Sequence, residues 1–182
     1  MKIRNKRVKY DGIIYCLNEE EKTADVIDFM TNKKEIKIPS YIKHETNEYS
    51  VTSIIKNSFL TSESKSLSFS EDSKLQMIDE DAFDSSSIET ISIPSSVVEL
   101  KSGWCNNTLK LTNISVSPNN KYFKLYENKM IIGKSNINEN NYEHLLFCVR
   151  NVTKIVIPDF ITHISSYAFN GCNHLQRIEI SN

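Results

Sequence analysis

The sequence predicts an α/β-type repeat solenoid, a right-handed array of short parallel strands that is mostly β and irregular structure. The first observation behind this prediction is a strand motif that recurs three times: "IKIPSYI" from Ile36, "ISIPSSV" from Ile91 and "IVIPDFI" from Ile155. Short runs of β-branched residues are typical of strands. A proline directly afterwards ends the strand, because proline has no N–H to donate to the sheet.

The second observation is the spacing of the residues that follow these prolines. The apolar positions after "ISIP" recur 64 residues later after "IVIP". The first set is Val97, Leu100, Trp104, Cys105, Thr108, Leu111, Ile114 and Val116, and the second is Ile161, Ile164, Ala168, Phe169, Cys172, Leu175, Ile178 and Ile180. A register held over this length without a slip indicates an internal repeat.

The third observation is the period. Steps between strands are 24 residues from Leu67 to Ile91, 23 from Ile91 to Ile114, and 23 from Ile155 to Ile178. Two further copies precede the pair just described: Leu67, Phe69, Leu75, Ile78, Ala82, Phe83 and Ile88, and a partial one at Ile36, Ile38, Pro39, Ile42, Val51, Ile54 and Phe59. Periods of about 20–29 residues with one strand per unit are typical of leucine-rich-repeat solenoids.

The composition supports a folded protein and excludes several classes of partner. The chain has 182 residues, of which 39% are hydrophobic and 25% charged, a balance typical of one folded domain or array. The net charge of −1 gives no electrostatic reason to expect binding to nucleic acid or an anionic membrane. No stretch approaches the roughly 18 apolar residues of a membrane helix, so the sequence predicts no membrane insertion.

One step is too long for a single coil. Forty-one residues separate Ile114 from Ile155, and the extra material contains "YFKLYENKMIIGKS" and "EHLLFCV". We interpret it as a β-hairpin plus a third strand inserted between coils. Its small core is expected to be formed or covered by Tyr122, Phe123, Tyr126, Met130 and Phe147.

The two ends of the array are expected to differ. Ahead of the first coil, "VKYDGIIYCL" and "KTADVID" predict a hairpin with "NEEEK" as its polar tip, which would cover one end of the solenoid. At the other end no cap follows "IEISN", so we expect an open edge capable of self-association. The predicted segments are an N-terminal hairpin cap over 1–34, repeat coils over 35–118, the inserted hairpin over 119–150 and a last coil over 151–182.

No motif predicts a catalytic, metal or cofactor site. The stretch "HISSYAFNGCNHLQRIEI" contains two histidines, His163 and His174, but they flank core positions on opposite turns. The four cysteines are isolated, which predicts neither a zinc site nor a disulfide framework. The carboxylates of "DEDAF" at Asp79 are expected in a solvated turn. No nucleophile–base arrangement or glycine-rich phosphate loop is present.

The motifs together resemble the BspA-type, or Treponema pallidum-type, leucine-rich repeat family. "IVIPDFITHISSYAFNGCNHLQRIEI" is similar to its repeat almost throughout, and "VSPNNKYFKLYENKMIIGKS" is similar to its inserted hairpin. The copies depart from the pattern where "WC" at Trp104 replaces "AF". The family is abundant in mucosal bacteria and parasitic protists. Several members act as surface proteins that bind host matrix proteins or other cells, so the resemblance implies a protein-binding module.

Two surfaces are candidate binding sites. Alternate strand residues face outward on the concave sheet of a solenoid. These positions are Lys37, Ser68, Ser92, Ser115, Val156, Glu179, Lys154 and Arg177. The alternative is that this face is simply solvated. The inserted hairpin is the second candidate, because Tyr122, Tyr126 and Met130 are of types enriched at interfaces; the alternative there is that they fill its core.

The expected function is that of a non-enzymatic protein-binding scaffold, adhesin-like and cell-surface by family resemblance, without a cofactor. The alternative is an intracellular structural or assembly subunit that uses its open C-terminal edge. The segment "MKIRNKRVKYDGIIYCLNEEEKTA" contains no apolar run of signal-peptide length, which favours the cytoplasm. Both locations therefore stay open, and the partner is a protein of unknown identity.

Overall fold

The computed structural model describes residues 6–135, 138 and 140–181, and within these residues it contains strands and turns but no helix. The first five residues of the predicted N-terminal cap lie outside the described part. In chain order the strands are β1 (Lys6–Tyr10), β2 (Ile13–Asn18), β3 (Thr23–Phe29), β4 (Glu35–Ile38), β5 (Tyr41–His44), β6 (Asn47–Ile54), β7 (Ser66–Phe69), β8 (Met77–Ile78), β9 (Thr90–Ile93), β10 (Glu99–Leu100), β11 (Asn113–Val116), β12 (Phe123–Tyr126), β13 (Met130–Gly133), β14 (His144–Cys148), β15 (Lys154–Ile157), β16 (His163–Ile164) and β17 (Arg177–Ile180).

The chain opens with an antiparallel meander of β1, β2 and β3. The stretch "VKYDGIIYCL", interpreted as a single arm, is in fact two strands joined by a turn at Asp11 and Gly12, whose φ angles are 49° and 83°. Two consecutive positive φ values are what an Asp-Gly hairpin turn requires. A Cβ on Gly12 would lie 2.6 Å from the Thr31 Cβ, so this position needs glycine. Strand β3 then pairs in parallel with β6 and joins the meander to the array.

Four predicted repeat strands form one parallel sheet in the order β4, β7, β9 and β11, called here the long-strand sheet. Its register places Ile36 opposite Leu67, Leu67 opposite Ile91, and Ile91 opposite Ile114. These residues occupy equivalent positions in the repeat that the sequence predicts. Strands β15 and β17 pair in the same parallel manner. The predicted solenoid of short parallel strands is therefore confirmed.

Each coil also contributes to a second ladder that the sequence analysis did not predict. Strands β6, β8 and β10 pair in parallel, with Ile54 opposite Ile78 and Ile78 opposite Leu100, and β14 pairs with β16 likewise. The strands β8, β10 and β16 have only two residues each. Two residues are too few for the alternation that identifies a strand in a sequence.

The core lies between the two ladders and the turns that connect them. Four successive ring contacts run through it, with centroid separations of 5.1, 5.0, 5.9 and 5.6 Å. The rings belong to Phe29, Phe59, Phe83, Trp104 and Phe147. Each such aromatic pair adds about 0.5–1.5 kcal/mol beyond the area that it buries. The "WC" departure at Trp104 therefore keeps a ring in this stack.

The inserted segment forms an antiparallel sheet of β12, β13 and β14, and the third strand pairs with β16 of the last coil. Asn120 connects this sheet to the preceding coil. Its side-chain amide donates to the carbonyls of Pro94 and Val97, each at 2.9 Å, and its side-chain oxygen accepts from the backbone N–H groups of Tyr122 and Phe123, each at 2.8 Å. None of the described residues builds a helix of the length and apolarity needed to cross a membrane.

Candidate functional site

The outward positions of the long-strand sheet lie side by side. Lys37 is the register partner of Ser68, and Ser92 is the partner of Ser115. Lys37 and Ser115 are exposed, whereas Ser68 and Ser92 are half-buried. We call these four residues the outward row. The Ser68 hydroxyl donates to the Ile36 carbonyl at 3.2 Å, while within the described chain the hydroxyls of Ser92 and Ser115 have no hydrogen-bond partner.

The other four predicted residues lie together on β15 and β17. Val156 is the register partner of Glu179, and Lys154 is the partner of Arg177. The Glu179 carboxylate is 2.8 Å from the Lys154 Nζ and 2.6 Å from an Arg177 nitrogen. Exposed ion pairs of this kind contribute about 0–1 kcal/mol. The single carboxylate offsets one of the two positive charges, so these three side chains together keep one net positive charge.

A shallow cavity of about 380 Å³ lies at the end of the long-strand sheet where the strands stop. Ser92 and Ser115 of the outward row line it, and the adjacent Phe69 and Val116 supply apolar surface. Pro94 and Pro118 complete the wall. Sequence reasoning treated Phe69 and Val116 as core positions and missed their share in this cavity. Both are only half-buried, because they are the last strand residues before the chain turns away.

The inserted segment buries much of what the sequence marked as a binding surface. Met130 has 0% of its surface exposed, so it fills the core and cannot contact a partner. Tyr122 is half-buried against the core. Tyr126 packs edge-on against Phe160, with ring centroids 5.5 Å apart. Of the three predicted residues, the two tyrosines retain surface that a partner could contact.

A second cavity, of about 490 Å³, lies beside this aromatic pair. Tyr126, Tyr142 and Phe160 line it. The Tyr142 ring lies beneath the ammonium groups of Lys124 and Lys134, at 4.2 and 5.0 Å from its centroid. Sequence reasoning missed Tyr142 and Phe160, because their proximity depends on how the inserted sheet folds back over the last coil.

A buried arginine surrounded by thiols lies where the inserted segment ends. The Arg150 guanidinium is 2% exposed. It donates to the carbonyl oxygens of Cys105 and Cys148, each at 3.2 Å, and it lies 3.3 Å from the Cys105 Sγ and 3.8 Å from the Cys172 Sγ. It also lies over the Phe147 ring, 4.3 Å from the centroid. Among described residues, no carboxylate pairs with it.

The thiol environment shifts the three cysteine pKa values in different directions. The hydrogen bond from the Cys148 thiol and the nearby Arg150 lower the pKa of Cys172 to about 6. The same hydrogen bond and burial raise the pKa of Cys148. Burial raises the pKa of Cys105 to about 12, against the opposing effect of Arg150. Because all three thiols are buried, this cluster is a part of the core that holds a charge, with no access for a large substrate.

Two carboxylates of the acidic run after β8 are held by local contacts. The Lys56 ammonium is 2.8 Å from a Glu80 carboxylate oxygen and 3.2 Å from one of Asp81. The Asn106 side-chain amide donates to Asp81 at 2.7 Å. These carboxylates hold neighbouring turns together.

The histidine next to His163 is His144, and not the His174 that the sequence places on an opposite turn. His163 lies on β16 as the register partner of His144 on β14, and their ring centroids are 4.7 Å apart. His174 lies in the turn before β17. The partnership of His144 with His163 depends on the parallel pairing of two strands that are far apart in the chain. No sequence spacing signals such a pairing.

Comparisons with known proteins agree with this architecture. A family model for the BspA type leucine rich repeat region matches residues 30–131 and 135–182 in six copies. Among curated proteins, none matches the chain.

Several solved structures are similar. A leucine-rich repeat protein from Eubacterium ventriosum superposes with a TM-score of 0.61 and 17% identity, over 94% of this chain and 58% of that one. A leucine rich cell surface protein from Faecalibacterium prausnitzii gives a TM-score of 0.43 and 13% identity, over 97% and 76%. The pneumococcal vaccine antigen PcpA gives 0.47 and 16%, over 98% and 65%. At this identity, the likeness to the Eubacterium protein shows the fold alone.

Proposed function

The chain belongs to the BspA-type leucine-rich repeat family, and on that premise we propose that it is a non-enzymatic scaffold that binds another protein along its long-strand sheet. The outward row and the cavity beside it carry this proposal. Lys37, Ser68, Ser92 and Ser115 form a line of short or flexible side chains across four strands. Such a line leaves space for an extended segment or a protein edge to lie against the sheet.

The chemistry of the row supports a polar contact with some apolar anchoring. The hydroxyls of Ser92 and Ser115 can donate to and accept from a partner's backbone, while the neighbouring Phe69 and Val116 offer apolar surface in the cavity. A binding surface with an apolar centre and a polar rim is the usual pattern at interfaces. Two carboxylates of the acidic run are held by Lys56 and Asn106, and the three clustered thiols are buried. Neither group forms an open polar site, which supports a binding role over catalysis.

The finer part of the proposal is an adhesin-like role at the cell surface, with host or matrix proteins as partners. It rests on the family resemblance of the repeat motifs. The Faecalibacterium and pneumococcal structures add no argument, since their overall superposition is weak.

The experiment replaces Ser115 by arginine and measures binding to immobilised fibronectin, laminin and collagen by biolayer interferometry. Ser115 is exposed on the row, so Ser115→Arg places bulk and charge on the proposed surface without disturbing the core. The matched control is Ser166→Arg, since Ser166 is also exposed but lies in a turn. We expect Ser115→Arg to weaken binding at least about tenfold, or 1.4 kcal/mol, and Ser166→Arg to leave it unchanged.

Two outcomes would overturn the proposal. Equal binding by both variants and the wild type would show that the partner does not use the row. Equal loss in both variants would point to a general effect of added charge. Circular dichroism of each variant checks that the fold is intact.

An assembly subunit is the second candidate, favoured by the apolar surface of the last coil. Four residues there expose large fractions of their side chains: Ile164 50%, Tyr167 57%, Ile178 48% and Ile180 69%. A partner that covers them would bury apolar area at about 25 cal/mol per Å². Sedimentation velocity over a range of concentrations tests this function, which predicts self-association reduced by Ile180→Lys. A monomer at high concentration would contradict it.

A further inference from the structure

Three side chains with metal-binding groups meet at the edge of the inserted sheet. His144 on β14 and His163 on β16 are register partners, and Glu143 immediately precedes the first of them. One ligand atom from each residue can be chosen so that all three lie within 4.8 Å of one another. We propose that Glu143, His144 and His163 form a binding site for a divalent transition-metal ion of the zinc class.

The donor set suits this class of ion. Two imidazoles and a carboxylate are ligands that zinc accepts together, at about 2.0–2.2 Å from the metal. Imidazole favours zinc, copper, iron and nickel, whereas calcium and magnesium prefer oxygen ligands alone. In a tetrahedral site the ligand atoms would be about 3.4 Å apart, so the three groups need to close by little more than 1 Å. Because Glu143 and His144 are half-buried and His163 is exposed, side-chain rotation alone can supply that movement.

The backbone beneath the three side chains is held by hydrogen bonds between the strands. The Glu143 carbonyl accepts from the N–H of Thr162 at 2.9 Å and from that of His163 at 3.2 Å. One pair along, the Leu145 carbonyl accepts from the Ser165 N–H at 2.9 Å. A site built on paired strands keeps its ligands in place better than a site on loops. The two histidines are therefore neighbours by construction of the sheet.

Two hydroxyls orient the ligands. The Ser135 hydroxyl donates to the Glu143 carboxylate at 2.7 Å, and its oxygen lies 2.8 Å from the His144 Nε2. Since its single proton points to the carboxylate, the oxygen accepts from Nε2–H, which leaves the lone pair of a neutral His144 ring on Nδ1. The Thr162 hydroxyl lies 2.8 Å from the His163 Nδ1 and leaves Nε2 for a ligand. Partners that fix ring orientation in this way are typical of histidine metal ligands.

Three protein ligands leave a fourth tetrahedral position for water or for a partner's carboxylate. Glu143 and Thr162 also line the 490 Å³ cavity beside Tyr142. The open position therefore lies at the rim of a cavity that a partner could enter. Binding of the ion does not depend on the scaffold function proposed above, so each can be tested alone.

The test is titration of the untagged full chain with zinc chloride, followed by isothermal calorimetry in a buffer with a non-thiol reductant. We expect one zinc ion per chain in the wild type. His144→Ala and His163→Ala each remove a ligand, so binding should fall by more than the roughly 10–100-fold that loss of an orienting partner costs. His174→Ala is the matched control, because His174 is exposed in a turn of the same coil and should leave binding unchanged.

A second readout identifies the ligands directly. Cobalt(II) in place of zinc should give the visible absorption of a tetrahedral site in the wild type and in His174→Ala, and lose it in His163→Ala. His163 is exposed and His144 is half-buried, and thermal melts of both variants check that the fold is intact.

Three results would overturn the proposal: no zinc binding by the wild type, binding that survives in both His144→Ala and His163→Ala, or equal loss in His174→Ala. The second result would place the ion outside this cluster.

Discussion

The regular coils and the inserted segment use different side chains to donate a hydrogen bond to a carbonyl of the preceding coil. In the regular coils, the Thr108 hydroxyl is fully buried and donates to the Phe83 carbonyl of the preceding coil at 2.9 Å. At the end of the inserted segment, the Arg150 guanidinium donates to the Cys105 carbonyl at 3.2 Å. Each side chain donates a hydrogen bond to a carbonyl at the same turn of the coil, which we call the corner. A hydroxyl suffices in one case, and a guanidinium is needed in the other.

The length of the turn explains this difference. Seven residues separate Trp104 from Leu111, but only five separate Phe147 from Val152, although both pairs bound the same turn of a coil. The shorter turn leaves a volume at the corner, which the long Arg150 side chain fills. The shorter turn also allows the coils on either side of the inserted segment to form hydrogen bonds with each other. The Ser102 hydroxyl donates to the Ser166 carbonyl at 3.0 Å, and the Asn107 N–H to the Asn170 side chain at 2.9 Å.

A buried arginine is thus the consequence of an insertion whose coil is shorter than its neighbours. Its charge is compensated by carbonyl oxygens, an aromatic face and a thiol with a lowered pKa. The coil of Thr108 needs no such compensation, because its turn carries a neutral hydroxyl. The largest expected effects of substitution therefore lie in the inserted segment.

Arg150→Ala should have the largest effect. It removes a fully buried side chain, leaves a cavity and takes a charged donor from two carbonyls, so the free energy of unfolding should fall by about 3–5 kcal/mol. Urea denaturation measures the change. Arg177→Ala, at an exposed arginine, is the control and should stay within about 0.5 kcal/mol. A loss below about 1 kcal/mol for Arg150→Ala would contradict the role of the guanidinium as the filler of the corner.

Asn120→Ala should follow, because this side chain joins the two regions through four hydrogen bonds. At about 0.5–1.5 kcal/mol each, their loss should lower the free energy of unfolding by about 2–4 kcal/mol in the same denaturation experiment. Asn120→Asp keeps the acceptor but directs a carboxylate oxygen at the carbonyls of Pro94 and Val97, so it should not restore stability. If Asn120→Asp had the same free energy of unfolding as the wild type, the two hydrogen bonds donated by Asn120 would contribute nothing to stability.

Thr108→Val should have a smaller effect in the regular coils. The replacement keeps the shape but leaves the buried Phe83 carbonyl without that donor, which should cost about 1–2 kcal/mol. Thr112→Val is the control, since Thr112 is exposed. If both substitutions were neutral by denaturation, the comparison of the two corners would lose its basis.

The last prediction concerns the dependence of stability on pH, whose slope is at most about 1.4 kcal/mol per pH unit. The pKa of Cys172 is lowered from its ordinary value of 9.0 to about 6. Its stabilisation is therefore present above pH 9 and is lost as the pH falls to 6. Between these values the free energy of unfolding of the wild type should rise with pH relative to that of Cys172→Ser. Parallel curves at pH 6, 7 and 8, measured with reductant, would show that the Cys148 hydrogen bond and Arg150 do not favour a thiolate at Cys172.

The regular coils could be predicted from the sequence far better than the inserted segment. The strand motif and its period place Ile36, Leu67, Ile91 and Ile114 in register, because each coil repeats the same local pattern. The 64-residue spacing even corresponds to a contact, since Ser102 and Ser166 meet. The Asp11–Gly12 turn was also readable, as a two-residue hairpin signal, but the sequence interpretation passed over it.

The rest depends on contacts between distant segments. The pairing of His144 with His163 requires that β14 take the place of a repeat strand. No local pattern in the sequence indicates this replacement. The burial of Arg150 follows from a turn two residues short, and a charged residue by itself predicts exposure. Met130 shows the converse, because a residue type enriched at interfaces is here a core filler. The outward row was predictable by alternation alone, but its use by a partner remains a proposal.

In the proposed function, the scaffold binds its partner outside the cell. The most direct test uses intact cells that express the chain naturally, labelled with a membrane-impermeant reagent that reacts with amines. Lys37 on the outward row is exposed and reports on the face itself. We predict that mass spectrometry recovers the labelled Lys37 peptide from intact cells. Label that appears on this peptide only after lysis would contradict the adhesin-like function and favour the intracellular assembly subunit.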